Sequence, residues 1–258
     1  MLPLREILLQ SGRLLRRHPG LLLPVIAVAL GERLLQPGKE FSAPILVGLL
    51  LLSLAVHSGL LSMIRSAHNS EMGAWDAFLI GVGRYFAPIL AGSMVQFALV
   101  FLTLLPIVAW LRASVGIPDL KALKTYIDAQ QVPPPALAEP LIQWTAAICA
   151  WAAVWGIVFF FLALWQQFVA AQSLSWLRAW QASAAFVRSH WLRMTGLLAL
   201  QALSLGLGFA LLSTRTVLAA EIGGVALVLV NCYFTVATML AIMGPAAEPK
   251  GENVDATA

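Results

Sequence analysis

Long apolar stretches separated by short polar segments dominate the pattern along this chain. A helix needs about 20 mostly apolar residues to cross the hydrocarbon core of a bilayer. Five stretches reach that length, at residues 44–64, 86–111, 141–168, 192–214 and 222–243. A sixth stretch, at 20–35, is shorter and carries Glu32 and Arg33 near its outer end, where such side chains can reach the interface or pair with each other. The pattern predicts about six transmembrane helices.

The first apolar stretch has a second interpretation, which is a cleaved signal peptide. Arg13, Arg16 and Arg17 precede it, and Ala27-Val28-Ala29 has the small-residue pattern of a cleavage site. That triplet, however, lies inside the apolar run rather than after it. The basic region before the run also has the pattern of an amphipathic helix. A membrane span is therefore the favoured interpretation.

A short amphipathic stretch precedes the first, third and fifth predicted spans. In each stretch, apolar residues recur at helical spacing on one side and basic or polar residues lie on the other. The apolar stripes are Leu4, Ile7, Leu8, Leu14 and Leu15 in the first stretch, Trp75, Leu79, Val82 and Phe86 in the second, and Trp176, Trp180, Val187 and Trp191 in the third. We expect three amphipathic helices at the membrane interface.

The three stretches also align with one another without gaps. Ala74-Trp75 matches Ala179-Trp180, and the first and third stretches share the pairs Ser11 with Ser183, Arg16 with Arg188 and His18 with His190. Each copy would be an interfacial helix followed by a helical hairpin, and parallel repeats of this kind occur in transporters. Any amphipathic helix at a cytoplasmic interface shows a similar face pattern, so duplication and independent origin both stay open.

The third stretch and the span after it resemble an element of a known bacterial superfamily. The resemblance lies in Ala179, three further residues and Ser183, followed by the basic and aromatic end at Arg188 and Trp191, and in the run Arg16-Arg17-His18-Pro19. The superfamily comprises six-helix inner-membrane proteins related to the membrane domain of glycerophosphodiester phosphodiesterases. The resemblance implies a six-helix fold in the bacterial inner membrane. It does not imply the enzyme activity, because the phosphodiesterase domain is not in this sequence.

Composition and charge support a membrane location. Hydrophobic residues make up 60% of the 258 residues and charged residues 11%, against roughly 45–50% and 25% in soluble domains. With the N-terminus inside, ten Lys and Arg residues flank the spans on the cytoplasmic side and six on the outer side. We therefore expect both termini in the cytoplasm, a single transmembrane domain over residues 1–244, and a disordered cytoplasmic tail over residues 245–258.

Polar side chains within the predicted spans are the candidates for a site. Ionisable groups in the bilayer are costly, and His57 is the one that lies deep in a span. Neutral polar groups in other spans are Gln96, Gln201 and Asn231. These four residues form either an intramembrane polar site or a set of hydrogen bonds that hold the helices together.

Two tryptophans lie too deep in the fourth span for an interfacial aromatic belt. Trp151 and Trp155 share one face of the helix with Trp144. They either pack against neighbouring helices, which we favour, or line a groove for an apolar ligand such as an acyl chain.

The sequence offers little that would support catalysis. It has no nucleophile motif, no phosphate-binding glycine loop and no His or Cys cluster with metal-ligand spacing. Cys149 and Cys232 both lie in apolar stretches and are expected to act as small apolar side chains. No basic patch suits nucleic acid. We therefore expect no enzyme activity, no cofactor and no metal.

These observations favour a non-catalytic, multi-pass inner-membrane protein that acts as a scaffold, a partner subunit or a lipid-handling component. The alternative is a small transporter or channel subunit with a polar intramembrane site around His57. The expected partners are membrane lipids and, beyond them, other membrane proteins or a second copy of this chain.

Overall fold

The computed structural model describes residues 3–27, 43–69, 73–129, 133–213 and 217–244, and this part of the chain forms helices and short turns without a strand. The helices are α1 (Leu4–Arg17), α2 (Ala43–Asn69), α3 (Ala74–Ser114), α4 (Leu120–Asp128), α5 (Pro135–Phe161), α6 (Trp165–Gln172), α7 (Trp176–Ser189), α8 (Trp191–Leu212) and α9 (Val217–Met243). A 3-10 turn at Pro19–Leu22 follows α1.

Five of the predicted spans are confirmed as apolar helices long enough to cross a bilayer. These are Val47–Asn69, Ala74–Ser114, Pro135–Gln172, Trp191–Leu211 and Ile222–Met243. The chain is therefore an all-helical, multi-span membrane protein. Most of the predicted first span, at 20–35, and the predicted tail at 245–258 lie outside the described residues. A count of six spans stays a prediction.

Two helix boundaries differ from those that the sequence predicted. The second amphipathic stretch is not a separate helix, because α3 runs without a break from Ala74 to Ser114 and is about 60 Å long at 1.5 Å per residue. The predicted fourth span, at 141–168, is interrupted: α5 ends at Phe161, and α6 begins at Trp165 after a turn at 162–164.

The chain divides into two compact units, which are described one at a time. The first unit holds residues 1–91 and 164–258, and the second holds residues 92–163. The core of the first unit is contributed by α1, the 3-10 turn, α2, the start of α3, α6, α7, α8 and α9. Its fully buried large side chains include Ile7, Leu21, Leu61, Ile64, Ile89, Leu197 and Met239.

Helix α9 is the central helix of the first unit. Its residues 234–241 are all buried, so this part of the helix is surrounded by protein on every side. Tyr233 donates a hydrogen bond from its hydroxyl group to the carbonyl oxygen of Leu8, at 2.7 Å. This bond attaches α1 to α9.

Helices α1 and α7 bury their faces in the same register. The buried residues are Ile7 and Ser11 in α1, and Ala179, Ser183 and Val187 in α7. Each helix ends at a histidine with φ −126°, His18 or His190. The second amphipathic stretch differs, because in the gap-free alignment its buried residues Ala77 and Gly81 fall one position before the buried residues Ser183 and Val187 of α7.

The second unit is a helical hairpin formed by the later part of α3 and by α5, with α4 between them. Its apolar side chains are largely exposed, and only 6% of the apolar window in Pro135–Gln172 is buried, against 50% for Ile222–Met243. Exposed side chains on the hairpin include Phe101, Leu102, Val154 and Ile157. In a bilayer such a surface is covered by lipid rather than by water.

Candidate functional site

Two of the four polar residues singled out in the spans line one cavity in the first unit. His57 of α2 and Asn231 of α9 both face a space of about 410 Å³. The other polar lining residues are Ser53, Cys232 and Thr235, and the apolar lining residues are Val25, Val56, Leu60, Leu205, Phe209, Leu227 and Val228. A cavity of this size and composition is typical of small-ligand sites.

This cavity, called the midplane cavity from here on, lies halfway along two spans. His57 lies one residue from the midpoint of Val47–Asn69, and Cys232 is at the midpoint of Ile222–Met243. Leu60, Cys232 and Thr235 are buried and form the closed end, whereas Ser53, Phe209 and Asn231 are exposed and form the open end. The cavity therefore leads from the unit's surface to a polar interior.

The imidazole of His57 lies against the Gln166 side chain of α6. Its Nε2 atom is buried and has no hydrogen-bond partner among the described residues. A buried polar atom without a partner is uncommon in native structures, which makes His57 the candidate polar centre of this cavity.

The other polar lining groups also retain hydrogen-bonding capacity. Thr235 donates its hydroxyl proton to the carbonyl oxygen of Asn231 at 2.8 Å, which leaves the hydroxyl oxygen able to accept. The Cys232 thiol is 3.9 Å from the carbonyl oxygen of Leu21, to which it donates weakly. The Asn231 side-chain amide adds both a donor and an acceptor at the open end.

The remaining two residues of the predicted set lie elsewhere. Gln201 of α8 is not among the lining residues, and Gln96 belongs to the second unit. Gln166 and Thr235 were not predicted as site residues, and Cys232 was predicted only to act as a small apolar side chain. The spacing of Asn231 and Thr235, four residues apart on one helix, was a signal for Thr235.

Trp151 and Trp155 both take part in a hydrogen-bonded contact within the second unit. Their indole Nε1 atoms donate to Thr103 Oγ1 at 3.2 and 2.9 Å. Trp144 donates in the same way to the carbonyl oxygen of Gly116 at 2.8 Å. Both indole rings therefore contact α3 through Thr103.

A second polar cluster joins α2, α3 and α6. Arg65 donates hydrogen bonds to the Tyr85 hydroxyl at 3.0 Å, to the Ala170 carbonyl oxygen at 2.9 Å and to Ser173 Oγ at 3.2 Å. Ser173 ends α6 in the left-handed region, with φ 55°. All three acceptors are neutral oxygen atoms, so the cluster holds helices together rather than presenting a reactive pair.

Two further cavities lie in the first unit. One, of about 440 Å³, is lined mainly by leucines of α1, α8 and α9 together with Tyr233 and Phe234. The other, of about 550 Å³, lies where Arg17 and His18 approach the start of α3 at Gly73 and Ala74. Within the described ranges, no group of three or more His, Cys, Asp or Glu side chains could hold a metal ion.

Comparison of the chain with protein-family models, with curated proteins and with solved structures found no match.

Proposed function

We propose that this chain is a non-catalytic, multi-pass protein of the bacterial inner membrane that handles lipid by binding an amphipathic molecule in the midplane cavity. The observation that carries the proposal is the lining of that cavity, where His57, Cys232 and Thr235 lie at or near the closed end and apolar side chains form most of the wall. Scaffold and partner-subunit roles do not require such a cavity.

The position of the cavity supports a ligand that comes from the membrane. Two of its polar residues, His57 and Cys232, lie within one residue of the midpoints of two spans, where water is scarce and an unpaired polar atom costs free energy. Phe209, at 61% exposure, stands at the open end on a surface that lipid would cover. A lipid that entered here would place its chain against leucine and valine and its head near His57.

The proposed orientation has both termini in the cytoplasm and α1 and α7 at the interface. The excess of Lys and Arg on one side of the spans supports this topology. Helix α1 supports an interfacial position because it carries four arginines and one glutamate and buries Ile7 and Ser11. The shared burial register of α1 and α7 supports a duplication, and the resemblance to the six-helix superfamily supports a bacterial inner-membrane location.

The test of lipid binding is recovery of a ligand from protein purified in mild detergent. Val228 lines the midplane cavity, so Val228→Trp should fill it, whereas Val225→Trp places the same side chain at an exposed position on the same helix. We expect the wild type and Val225→Trp to carry an amphiphile in near-equimolar amount, and Val228→Trp to lack it. Identical lipid content in all three proteins would refute the proposal.

A second candidate function is a small transporter or channel subunit. It is favoured by one observation, which is that His57 and Asn231 reach the same cavity from two different spans. Reconstituted liposomes with an internal pH-sensitive dye give the test. Proton flux that the wild type supports and His57→Leu abolishes would favour transport, and equal flux through both proteins would remove this candidate.

A further inference from the structure

The leucine-lined cavity of about 440 Å³ lies between helix α1 and two spans of the first unit. Leu8 and Leu15 line it on the α1 side. Leu200 of α8 and Leu229 of α9 line it on the other side and are 38% and 43% exposed. This space, called the α1 groove from here on, therefore opens onto a surface that lipid covers in a bilayer, and its wall suits an acyl chain.

Helix α1 carries positive charge along the outer edge of this groove. Successive residues of a helix are about 100° apart, which places Leu8 and Leu15 on one side of α1. Arg5 and Arg16 are exposed and lie about 80° further round the helix. The buried Ile7 lies about 90° from the leucines in the other direction. The two arginines therefore border the groove on the flank that faces away from the protein core.

The space between these two arginines is free of polar side chains from α1. The residues of the same flank that lie between them are Leu9 and Gly12. A Cβ atom added at Gly12 would make ordinary van der Waals contact with the Tyr233 ring at 3.9 Å, so this part of the flank lies close to the groove wall. Arg5 and Arg16 are eleven residues apart, about 16 Å along the axis, and their long side chains can close on one head group.

The other charged residues of α1 lie on a different side of the helix. Glu6, Arg13 and Arg17 are exposed and lie about 150–190° from the leucines that line the groove. The carboxylate of α1 is therefore turned away from the groove, and the charge that α1 places at the groove edge is positive.

An apolar groove bordered by two guanidinium groups is complementary to a phospholipid with a net negative head group. Guanidinium groups bind phosphate through paired hydrogen bonds, and basic residues on an amphipathic helix attract anionic lipids. A zwitterionic phospholipid adds an ammonium group, which the arginines repel.

We propose that the α1 groove binds an anionic phospholipid, with an acyl chain against the leucines and the phosphate between Arg5 and Arg16. The groove shares no lining residue with the midplane cavity. The inference shares with the proposed function the interfacial position of α1, and it adds a second lipid site that selects by charge.

The test compares phosphatidylglycerol with phosphatidylcholine of the same acyl chains. Binding of the first lipid molecule to the full-length protein in neutral detergent is measured by native mass spectrometry. We expect phosphatidylglycerol to bind at least five-fold more tightly. Arg5→Gln and Arg16→Gln should each weaken its binding by about five-fold, whereas the matched control Arg17→Gln should change it by less than about two-fold. Equal affinity for the two lipids, or equal effects of the three variants, would overturn the inference.

A second pair of variants tests the acyl-chain part of the site. Leu200 lines the groove, whereas Leu203 is 63% exposed on the same helix and does not line it. Leu200→Trp should weaken phosphatidylglycerol binding and Leu203→Trp should preserve it, and equal binding by the two variants would overturn the placement of the chain. The exposed arginine variants provide the test if Leu200→Trp does not fold. Val228→Trp fills the midplane cavity and should leave this binding unchanged, so either lipid site can fail while the other stands.

Discussion

Arg65 Nη1 donates a hydrogen bond to the carbonyl oxygen of Ala170 at 2.9 Å, and this contact joins α2 to the last turn of α6. The last four backbone carbonyl groups of a helix receive no hydrogen bond from within the helix, and a cation placed near them stabilises the helix. Arg65 therefore completes the end of a helix of eight residues that would be marginal alone. Its other bonds, to Tyr85 and Ser173, bring α3 and the turn after α6 to the same point.

Removal of Arg65 should destabilise the first unit. Arg65→Leu leaves three oxygen acceptors without their donor, at a cost of about 2–3 kcal/mol. Tyr85→Phe removes one bond and should cost about 1 kcal/mol. Thermal unfolding in detergent, followed by tryptophan fluorescence, should show a fall of about 5 °C or more for Arg65→Leu and a smaller fall for Tyr85→Phe. A melting curve for Arg65→Leu that overlays the wild type would contradict this role.

A pair of glycines in one helix gives a matched test of the contact between α2 and α3. A Cβ atom at Gly81 would overlap Ser62 Cβ and lie 2.9 Å from the Ser58 carbonyl oxygen, whereas one at Gly83 would meet nothing within 4 Å. Gly81→Ala should therefore cost about 1–3 kcal/mol through overpacking. Gly83→Ala should be neutral or stabilising by up to about 1 kcal/mol, because alanine favours helix. Equal melting temperatures for the two variants would show that the helices do not approach closely at Gly81.

The two buried serines at matching positions in α1 and α7 should differ in how much they contribute to the free energy of unfolding. Ser183 Oγ accepts a hydrogen bond from the backbone N–H of Leu164 at 3.2 Å, whereas Ser11 Oγ donates to Ile7 in its own helix at 2.7 Å. Ser183→Ala leaves a buried N–H without its acceptor and should cost about 1–3 kcal/mol. Ser11→Ala should change stability by about 0.5 kcal/mol or less, since bonds of this kind add little to a helix. Chemical unfolding of both variants checks the difference, and a larger effect at Ser11 would refute it.

Thr103 should stabilise the second unit because its hydroxyl oxygen accepts hydrogen bonds from two tryptophans. Thr103→Val keeps the shape and removes the acceptor of both indole N–H groups, at a cost of about 1 kcal/mol per bond. The tryptophan emission maximum should move to shorter wavelength in Thr103→Val and stay unchanged in Thr103→Ser. Unchanged emission in both variants would mean that Trp151 and Trp155 face lipid or a ligand instead of Thr103.

Span positions were predictable from sequence because the length of an apolar run is a local property. Five runs correspond to helices whose ends differ from the prediction by a few residues, except where α3 extends back to Ala74. The break between α5 and α6 was not predictable, since residues 160–165 form an unbroken apolar run without glycine or proline. There, Ser183 supplies an acceptor from a helix further along the chain.

The candidate site was predictable in part for a similar reason. His57 is conspicuous as an ionisable residue in an apolar run, and Asn231 is conspicuous as an amide in another. Their common cavity depends on how α2 and α9 pack, which one sequence does not reveal. Gln201 lies in an equivalent apolar run, yet the packing of α8 keeps it off the lining.

The dependence of Leu164 on Ser183 has a consequence for biosynthesis. A ribosome makes the chain from its N-terminus, so the turn at 162–164 enters the membrane before Ser183 has been synthesised. Until then nothing from α7 accepts the Leu164 N–H, and a continuous helix through this position satisfies it instead. The nascent fourth span should therefore insert as one continuous helix and form the turn at 162–164 once the following amphipathic segment has emerged.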